Sequence, residues 1–266
     1  CRIASEEGMG LDVVSIGELY TALSAGFPAD KIYFHGNNKT ADELTMALES
    51  GVGRIVVDNI AELELLGALA KAAGKTASVL FRIKPGIDAH THNFIRTGQI
   101  DSKFGFALET GEALQAVAAA LKTPGIRVAG IHCHIGSQIF DIDPFCHAAE
   151  VMLGFAQQVR AELGYTIEEL NLGGGFGIPY HKEDGEAPLD MEDLGRQLDK
   201  KLFAFAEEYG KMVKFRIEPG RYISAESCVL LGRVNSVKLN HDKKFAGCDI
   251  GFNVLVRPVM YDSYHG

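Results

Sequence analysis

The sequence predicts an α/β fold: a (β/α)8 barrel of the TIM type that lacks its first strand, followed by the start of a C-terminal all-β domain. Three observations predict it. Short apolar or β-branched runs alternate with longer amphipathic segments, the pattern of βα units laid around a parallel sheet. Most of these runs are too continuously apolar for a sheet with one wet face. Polar or glycine-rich residues stand at or just past nearly every run's C-terminal end, the face on which such barrels assemble their sites.

In chain order the strands are expected at Leu11–Val14, Lys31–Phe34, Arg54–Val57, Ser78–Ile83, Arg127–His132, Glu169–Leu172 and Lys214–Ile217. Helices are expected between them at Ala41–Glu49, Ala61–Ala73, Gly111–Leu121, Pro144–Leu163 and Leu194–Tyr209. The segment Lys84–Phe106 is a long loop for a compact domain, and loops of that length are more often functional than idle. After Arg221 the pattern turns β-rich over Cys228–Leu239 and Phe245–Val256, which sets the expected division at residues 1–224 for the barrel and 225–266 for a partial β domain. The chain starts at Cys1 inside a helix-like stretch, Cys1–Gly8, so it reads as cut at both ends, with the eighth strand upstream.

Composition narrows the function. With 47% hydrophobic and 23% charged residues in 266, the chain has material for a sizeable core. A net charge of −9 without any dense Lys/Arg cluster removes the footprint of a nucleic-acid or anionic-membrane partner. No apolar run reaches the ~18 residues of a membrane span. Five cysteines, Cys1, Cys133, Cys146, Cys228 and Cys248, include no CxxC pair, which argues against a disulfide framework and for the cytoplasm.

The chemistry-bearing groups lie at the strand ends: Ser15, His35–Gly36–Asn37, Asp58, Arg82, His132 with His134, Asn171–Gly175 and Glu218. Gly173, Gly174 and Gly175 are three consecutive glycines after a strand, able to bring backbone N–H groups against a phosphate or simply to make a tight turn. If one strand lies upstream, they follow strand seven and Glu218-Pro219-Gly220-Arg221 follows strand eight, the two places where barrels commonly bind phosphate. Glu218 is suited to a protonated ring nitrogen and Arg221 to a phosphate or carboxylate, or the two form a structural ion pair. His132 and His134 alternate, so both face one space, with Ser137 close behind; two imidazoles can bind metal, but no third ligand is evident, so no metal is expected. Asp12 and Asp58 read as strand-end acids or helix caps. Arg257-Pro-Val-Met-Tyr261 is dense in groups that contact carboxylates or present a phenol.

Seven motifs in register give these residues a family context: Asp12-Val-Val-Ser-Ile-Gly-Glu18, Arg82-Ile-Lys84-Pro-Gly, Thr97-Gly-Gln-Ile-Asp-Ser-Lys103-Phe-Gly105, His132-Cys-His134-Ile-Gly-Ser137, Gly173-Gly-Gly-Phe-Gly177, Glu218-Pro-Gly-Arg221 and Arg257-Pro-Val-Met-Tyr261. Together they resemble the alanine-racemase-like fold-type III decarboxylases, most nearly the diaminopimelate decarboxylase family, over essentially the whole chain.

The resemblance implies pyridoxal 5'-phosphate as cofactor, an amino acid as substrate and a homodimer for the full-length protein. It implies decarboxylation of meso-2,6-diaminopimelate to L-lysine as the reaction, with ornithine, arginine or carboxynorspermidine decarboxylases and a non-catalytic cofactor-binding relative as alternatives. It implies that His134 lies on the cofactor ring, Glu218 pairs with its nitrogen, and Ser137, Gly173, Gly174, Gly175, Pro219, Gly220 and Arg221 surround its phosphate. Arg221, Arg257 and Tyr261 would contact substrate, while Asp12 and Glu18 match acidic positions near the site. The family's cofactor-linking lysine, which sits on the first barrel strand, has no counterpart before Leu11, and neither Lys84 nor Lys103 stands where the family places it. The family's later Cys-Glu-Ser-Gly motif is also absent, so the chain by itself is expected to bind cofactor poorly and turn over little.

Overall fold

The computed structural model describes residues 1–87, 103–180 and 187–265. A short helix α1 (Arg2–Glu6) leads into β1 (Leu11–Val13), and strand and helix then alternate: α2 (Ile16–Ser24), β2 (Ile32–Phe34), α3 (Ala41–Ser50), β3 (Arg54–Val57), α4 (Ile60–Ala72) and β4 (Ala77–Lys84). A two-residue strand β5 (Phe106–Ala107) precedes α5 (Glu112–Ala120), β6 (Ile126–Cys133), α6 (Asp143–Leu163), β7 (Glu169–Asn171), α7 (Met191–Tyr209) and β8 (Lys214–Arg216). All seven predicted strands are found, each end within one residue of its expected place. The strand β5, pairing parallel with β4 through Ile83↔Phe106, was not foreseen, since two residues carry no periodicity. Most of the predicted Lys84–Phe106 loop, and residues 97–102 of the Thr97–Gly105 motif, lie outside the described residues.

The strands run parallel in the order β1-β2-β3-β4-β6-β7-β8, curled into a half-barrel backed by helices. The path ends on β1 and β8, which share no ladder among the described residues. Alternation sorts the side chains. Phe34, Ile55, Phe81, Ile131 and Leu170 pack outward into one large core with the helices, while Tyr33, Val56, Leu80 and Ala129 form a small separate cluster on the concave side. Fully burying a Phe such as Phe34, Phe81 or Phe145 is worth about 1.5–3 kcal/mol each, so the outer layer carries most of the stability. Beneath the small cluster, Glu169 accepts from the Tyr33 hydroxyl at 2.6 Å and from Arg54 Nε and Nη2 at 3.1 and 3.0 Å.

Helix starts are set locally. Thr40 and Glu43 form a reciprocal capping box on α3, and Asn59 Oδ1 accepts from the Glu62 N–H on α4. The cap expected of Asp58 therefore falls to its neighbour. Asp190 caps α7 through the Asp193 N–H, which starts that helix three residues earlier than the apolar pattern alone suggests.

The C-terminal stretch differs from expectation. Past α8 (Gly220–Ser224), only β9 (Val234–Asn240) and β10 (Lys243–Cys248) pair, as an antiparallel hairpin. Cys228–Arg233 finds no partner ladder, a turn in which the Val254 N–H reaches the Gly251 carbonyl ends the β pattern, and Pro258 opens a short helix α9 (Arg257–Tyr261). No described residue after Val213 is buried, so this stretch adds no fully buried side chain to the main core.

Candidate active site

The C-terminal strand ends converge on one carboxylate. Arg82, His132 and Asn171 are in register across β4, β6 and β7, all on the concave side, and Glu218 follows two residues after β8. Asn171 Nδ2 donates to Glu218 Oε1 at 2.8 Å, and the Nε2 atoms of His132 and His35 each approach that oxygen to 3.2 Å. Glu218 Oε2 is met, among the described residues, by His132 Nε2 at 3.4 Å. His35, directly after β2, also lies 3.6 Å from Asp12 Oδ1 and meets His132 edge to face at 4.9 Å.

Electrostatics divide the three imidazoles. Burial resists charging all of them, but Glu218 and Asp12 overcome it at His35, whose pKa rises to about 9. Burial wins at His132, whose pKa falls, and at His134, which drops to about 4 with the cation Arg82 adding to the effect. Burial pushes Glu218 toward neutrality, yet the imidazoles beside it prevail and hold its carboxyl well below the usual range. The side-chain nitrogens of His35 and His132 and the Glu218 carboxylate lie within 4.8 Å of one another, so His132 is grouped with two residues, one after β2 and one after β8, rather than with His134. Such spacing lets bases and carboxylate share a proton.

Beside this cluster sits the glycine loop. Gly174 N–H donates to His134 Nδ1 at 3.3 Å, which fixes that ring as a neutral acceptor on this side, and Gly173 N–H donates to Asn171 Oδ1 at 2.9 Å. Two of the three amides expected to face a phosphate are thus turned inward. The glycines are required by packing: a Cβ on Gly174 would stand 2.1 Å from the Glu218 carbonyl oxygen, and one on Gly175 2.2 Å from that of Gly136. Glu218 N–H donates to the Gly173 carbonyl at 2.8 Å, locking loop and carboxylate together. Gly220 N–H is spent on the Glu218 carbonyl, and Pro219 precedes α8 with no N–H to offer.

Arg221 forms the outer wall. Its guanidinium donates to Ser137 Oγ at 3.1 Å and to the Tyr180 hydroxyl, and the ring of His265 meets Tyr180 at 5.4 Å. Among the described residues the alternative reading of a Glu218–Arg221 ion pair is not seen; the two residues serve different partners. Among the described residues, Arg257 contacts only Ser263 Oγ at 3.4 Å, and Tyr261 is exposed without a side-chain hydrogen bond, so neither is drawn into the cluster. Glu18 accepts from the Val14 N–H and closes the start of α2. Asp58 is buried beside the cation Arg82, and Lys103 lies over Phe104. Sequence reasoning missed Tyr180, and placed His35 at a strand end without assigning it a role in the site. For His35 the signal was present, a polar residue at a strand end, but nothing in the sequence names its partner.

Residues 1–225 match the family model described as pyridoxal-dependent decarboxylase, pyridoxal binding domain. The chain is 44% identical over 264 residues to the diaminopimelate decarboxylase of Bacillus subtilis, covering 98% of this chain and 60% of the relative. It is 40% identical over 264 residues to that of Methanocaldococcus jannaschii, covering 99% and 59%. The crystal structure of the M. jannaschii enzyme in complex with L-lysine superposes with a TM-score of 0.88 at 39% identity, over 100% of this chain and 60% of that one. The Helicobacter pylori enzyme, also complexed with L-lysine, gives 0.86 at 32%, over 99% and 64%. The chain spans about three fifths of the length of the curated relatives it matches. With its parallel half-barrel and this match over residues 1–225, the chain belongs to the pyridoxal-dependent decarboxylases, carrying their pyridoxal-binding domain.

Proposed function

We propose that this chain is the cofactor-binding part of an enzyme that decarboxylates meso-2,6-diaminopimelate to L-lysine and CO2, the last step of lysine biosynthesis. The observation that carries the reading is Glu218: a half-buried carboxylate held ionised, with Asn171, His35 and His132 gathered at Oε1 and, among the described residues, only His132 near Oε2. The surrounding groups fit pyridoxal phosphate chemically. A carboxylate suits the ring nitrogen, the neutral His134 imidazole suits an aromatic face, and Ser137 Oγ beside the Arg221 guanidinium suits a phosphate.

Pyridoxal phosphate, when bound, supplies an electron-accepting ring for the electron pair that departing CO2 leaves behind. Glu218 holds a proton at the ring nitrogen, because an ionised carboxylate favours the charged form of its hydrogen-bonded partner. Ser137, Arg221 and the Gly175 N–H bind the phosphate, while Gly173, Gly174, Pro219 and Gly220 shape the cup with amides already used or missing. His134 orients the ring and keeps water from one face of it. Arg257 and Tyr261 receive the substrate's carboxylates; the Arg257 guanidinium has one long bond in place and the rest of its fork to give.

Diaminopimelate is favoured over other amino acids by the names of the relatives and by the L-lysine complexes among them. The reading extends to a cytoplasmic homodimer divided at residues 224 and 225. Exposed Val229 and Leu231 in the second part suit burial by further chain or a second subunit, and among the described residues no helix is long and apolar enough to cross a membrane. The test is to assay the full-length protein with meso-diaminopimelate, ornithine, arginine and carboxynorspermidine. Lysine is expected as product, and Glu218→Ala should lower kcat at least about tenfold, or ~1.4 kcal/mol. Another amine as the preferred product would overturn the substrate, and unchanged turnover in Glu218→Ala the role of the carboxylate.

A further inference from the structure

The donors around Glu218 are unevenly shared. Oε1 accepts from Asn171 Nδ2 and has the Nε2 atoms of His35 and His132 at 3.2 Å, the His35 contact being an ion-pair approach without hydrogen-bond geometry, whereas among the described residues Oε2 is met by His132 Nε2 at 3.4 Å. His35 is the member that no motif identifies, and it stands between two carboxylates, Asp12 on β1 and Glu218 after β8.

We propose that His35 is a positioning residue for Glu218: as an imidazolium whose Nε2 lies between Asp12 Oδ1 and Glu218 Oε1, it holds the carboxylate by charge at Oε1 and leaves Oε2 as the acceptor for the cofactor's ring N–H. The inference rests on the reading of Glu218 as partner of that nitrogen.

Charge supports it. The titratable groups that face His35 are Asp12 from β1, Arg82 from β4, His132 and His134 from β6, and Glu218. Arg82 has Asp58 as its own counter-charge, and His132 and His134 are kept neutral by burial. His132 Nδ1 is buried with no hydrogen-bond partner among the described residues, which a bare lone pair tolerates better than a charged N–H. What remains is Asp12 and Glu218 against His35, one negative charge in excess, and a single protonated pyridine nitrogen balances it. Were His35 neutral, two carboxylates would face the ring and Glu218 would take up a proton of its own more readily, losing its value as acceptor.

The experiment uses this chain labelled with 15N-histidine, following the imidazole nitrogens by NMR from about pH 5.5 to about pH 10. One imidazole should stay protonated on both nitrogens past pH ~8, be identified by its absence in His35→Asn, and lose about one pH unit or more in Glu218→Gln. A His35 that titrates near its ordinary value of ~6.5, or ignores Glu218→Gln, would overturn the proposal without any cofactor. Pyridoxal phosphate titrated onto the same proteins reads the second half. His35→Asn should weaken binding about tenfold and move the pH dependence of the bound-cofactor absorbance. Equal affinity and an unmoved profile would overturn the positioning role. If the wild-type chain binds no pyridoxal phosphate at millimolar concentration, the assignment of Oε2 as acceptor in this chain falls, and the NMR titration still decides the His35–Glu218 pair.

Discussion

Among single residues, the glycine loop shows most sharply how position decides the effect of the same substitution. Gly174 has no room, since a Cβ there meets the Glu218 carbonyl oxygen at 2.1 Å, backbone that cannot swing aside. Gly195 sits exposed inside α7 with nothing within 4 Å of an added Cβ. Gly174→Ala is therefore expected to cost about 1–3 kcal/mol, because the loop must move against the carboxylate segment. Gly195→Ala should instead stabilise by about 0.5–1 kcal/mol, by relieving the entropy cost of glycine in a helix. Urea denaturation of both variants checks the pair, and a Gly174→Ala protein as stable as wild type would show that the loop is looser than its contacts imply. The sequence exposed this loop as three adjacent glycines, but not the reason for them. Phosphate binding and tight packing demand the same residue, and only the through-space neighbours separate the two.

Within elements, the buried pair Lys39–Glu62 ties the loop between β2 and α3 to the first turn of α4. Lys39 Nζ reaches Glu62 Oε1 at 2.8 Å with both side chains almost fully covered, and donates to the carbonyls of Gly36 and Val56 as well. Burial lowers the Lys39 pKa and raises that of Glu62, so each charge persists only through the other. Removing one partner, as in Glu62→Ala, should destabilise by about 3–5 kcal/mol, whereas Lys39→Met with Glu62→Leu should recover much of that loss. A thermal melt series of the three proteins measures it, and a Glu62→Ala loss below ~1 kcal/mol would mean that water reaches Lys39. The legibility of elements follows from length. Strands of three to eight residues flanked by helices announced themselves through alternation, whereas β5, with two, did not. Cys228–Arg233 carried a strand's composition without a strand to pair with, and composition is silent on pairing.

For the whole molecule, the cluster at the barrel mouth couples stability to pH in both directions. His35 has a folded pKa of about 9 against an ordinary 6.5, so its contribution is complete below pH 6.5 and is lost as pH rises through about 9. His134 runs the other way: its folded pKa of about 4 lets the unfolded chain bind the extra proton, so stability also declines as pH falls below 6.5. The melting temperature should peak between about pH 6 and 7 and drop on the alkaline side, with that drop reduced in His35→Asn. A profile flat from pH ~7 to ~9.5 would contradict it. At this scale the half-barrel was legible in the sequence, and so was the side that carries the polar strand ends, because strand-end chemistry repeats from unit to unit. The sequence could not give the meeting of Asp12, His35, His132, Asn171 and Glu218, which depends on register between strands far apart in the chain.

That distance has a consequence in time. At ~5–20 residues per second, a ribosome needs roughly ten to forty seconds after releasing His35 before Glu218 appears. Until then β2 and β6 have no carboxylate from β8 to set against their imidazoles. A nascent half-barrel can set only Asp12 against His35, and the arrival of β8 brings Glu218, the second carboxylate on which its charge rests.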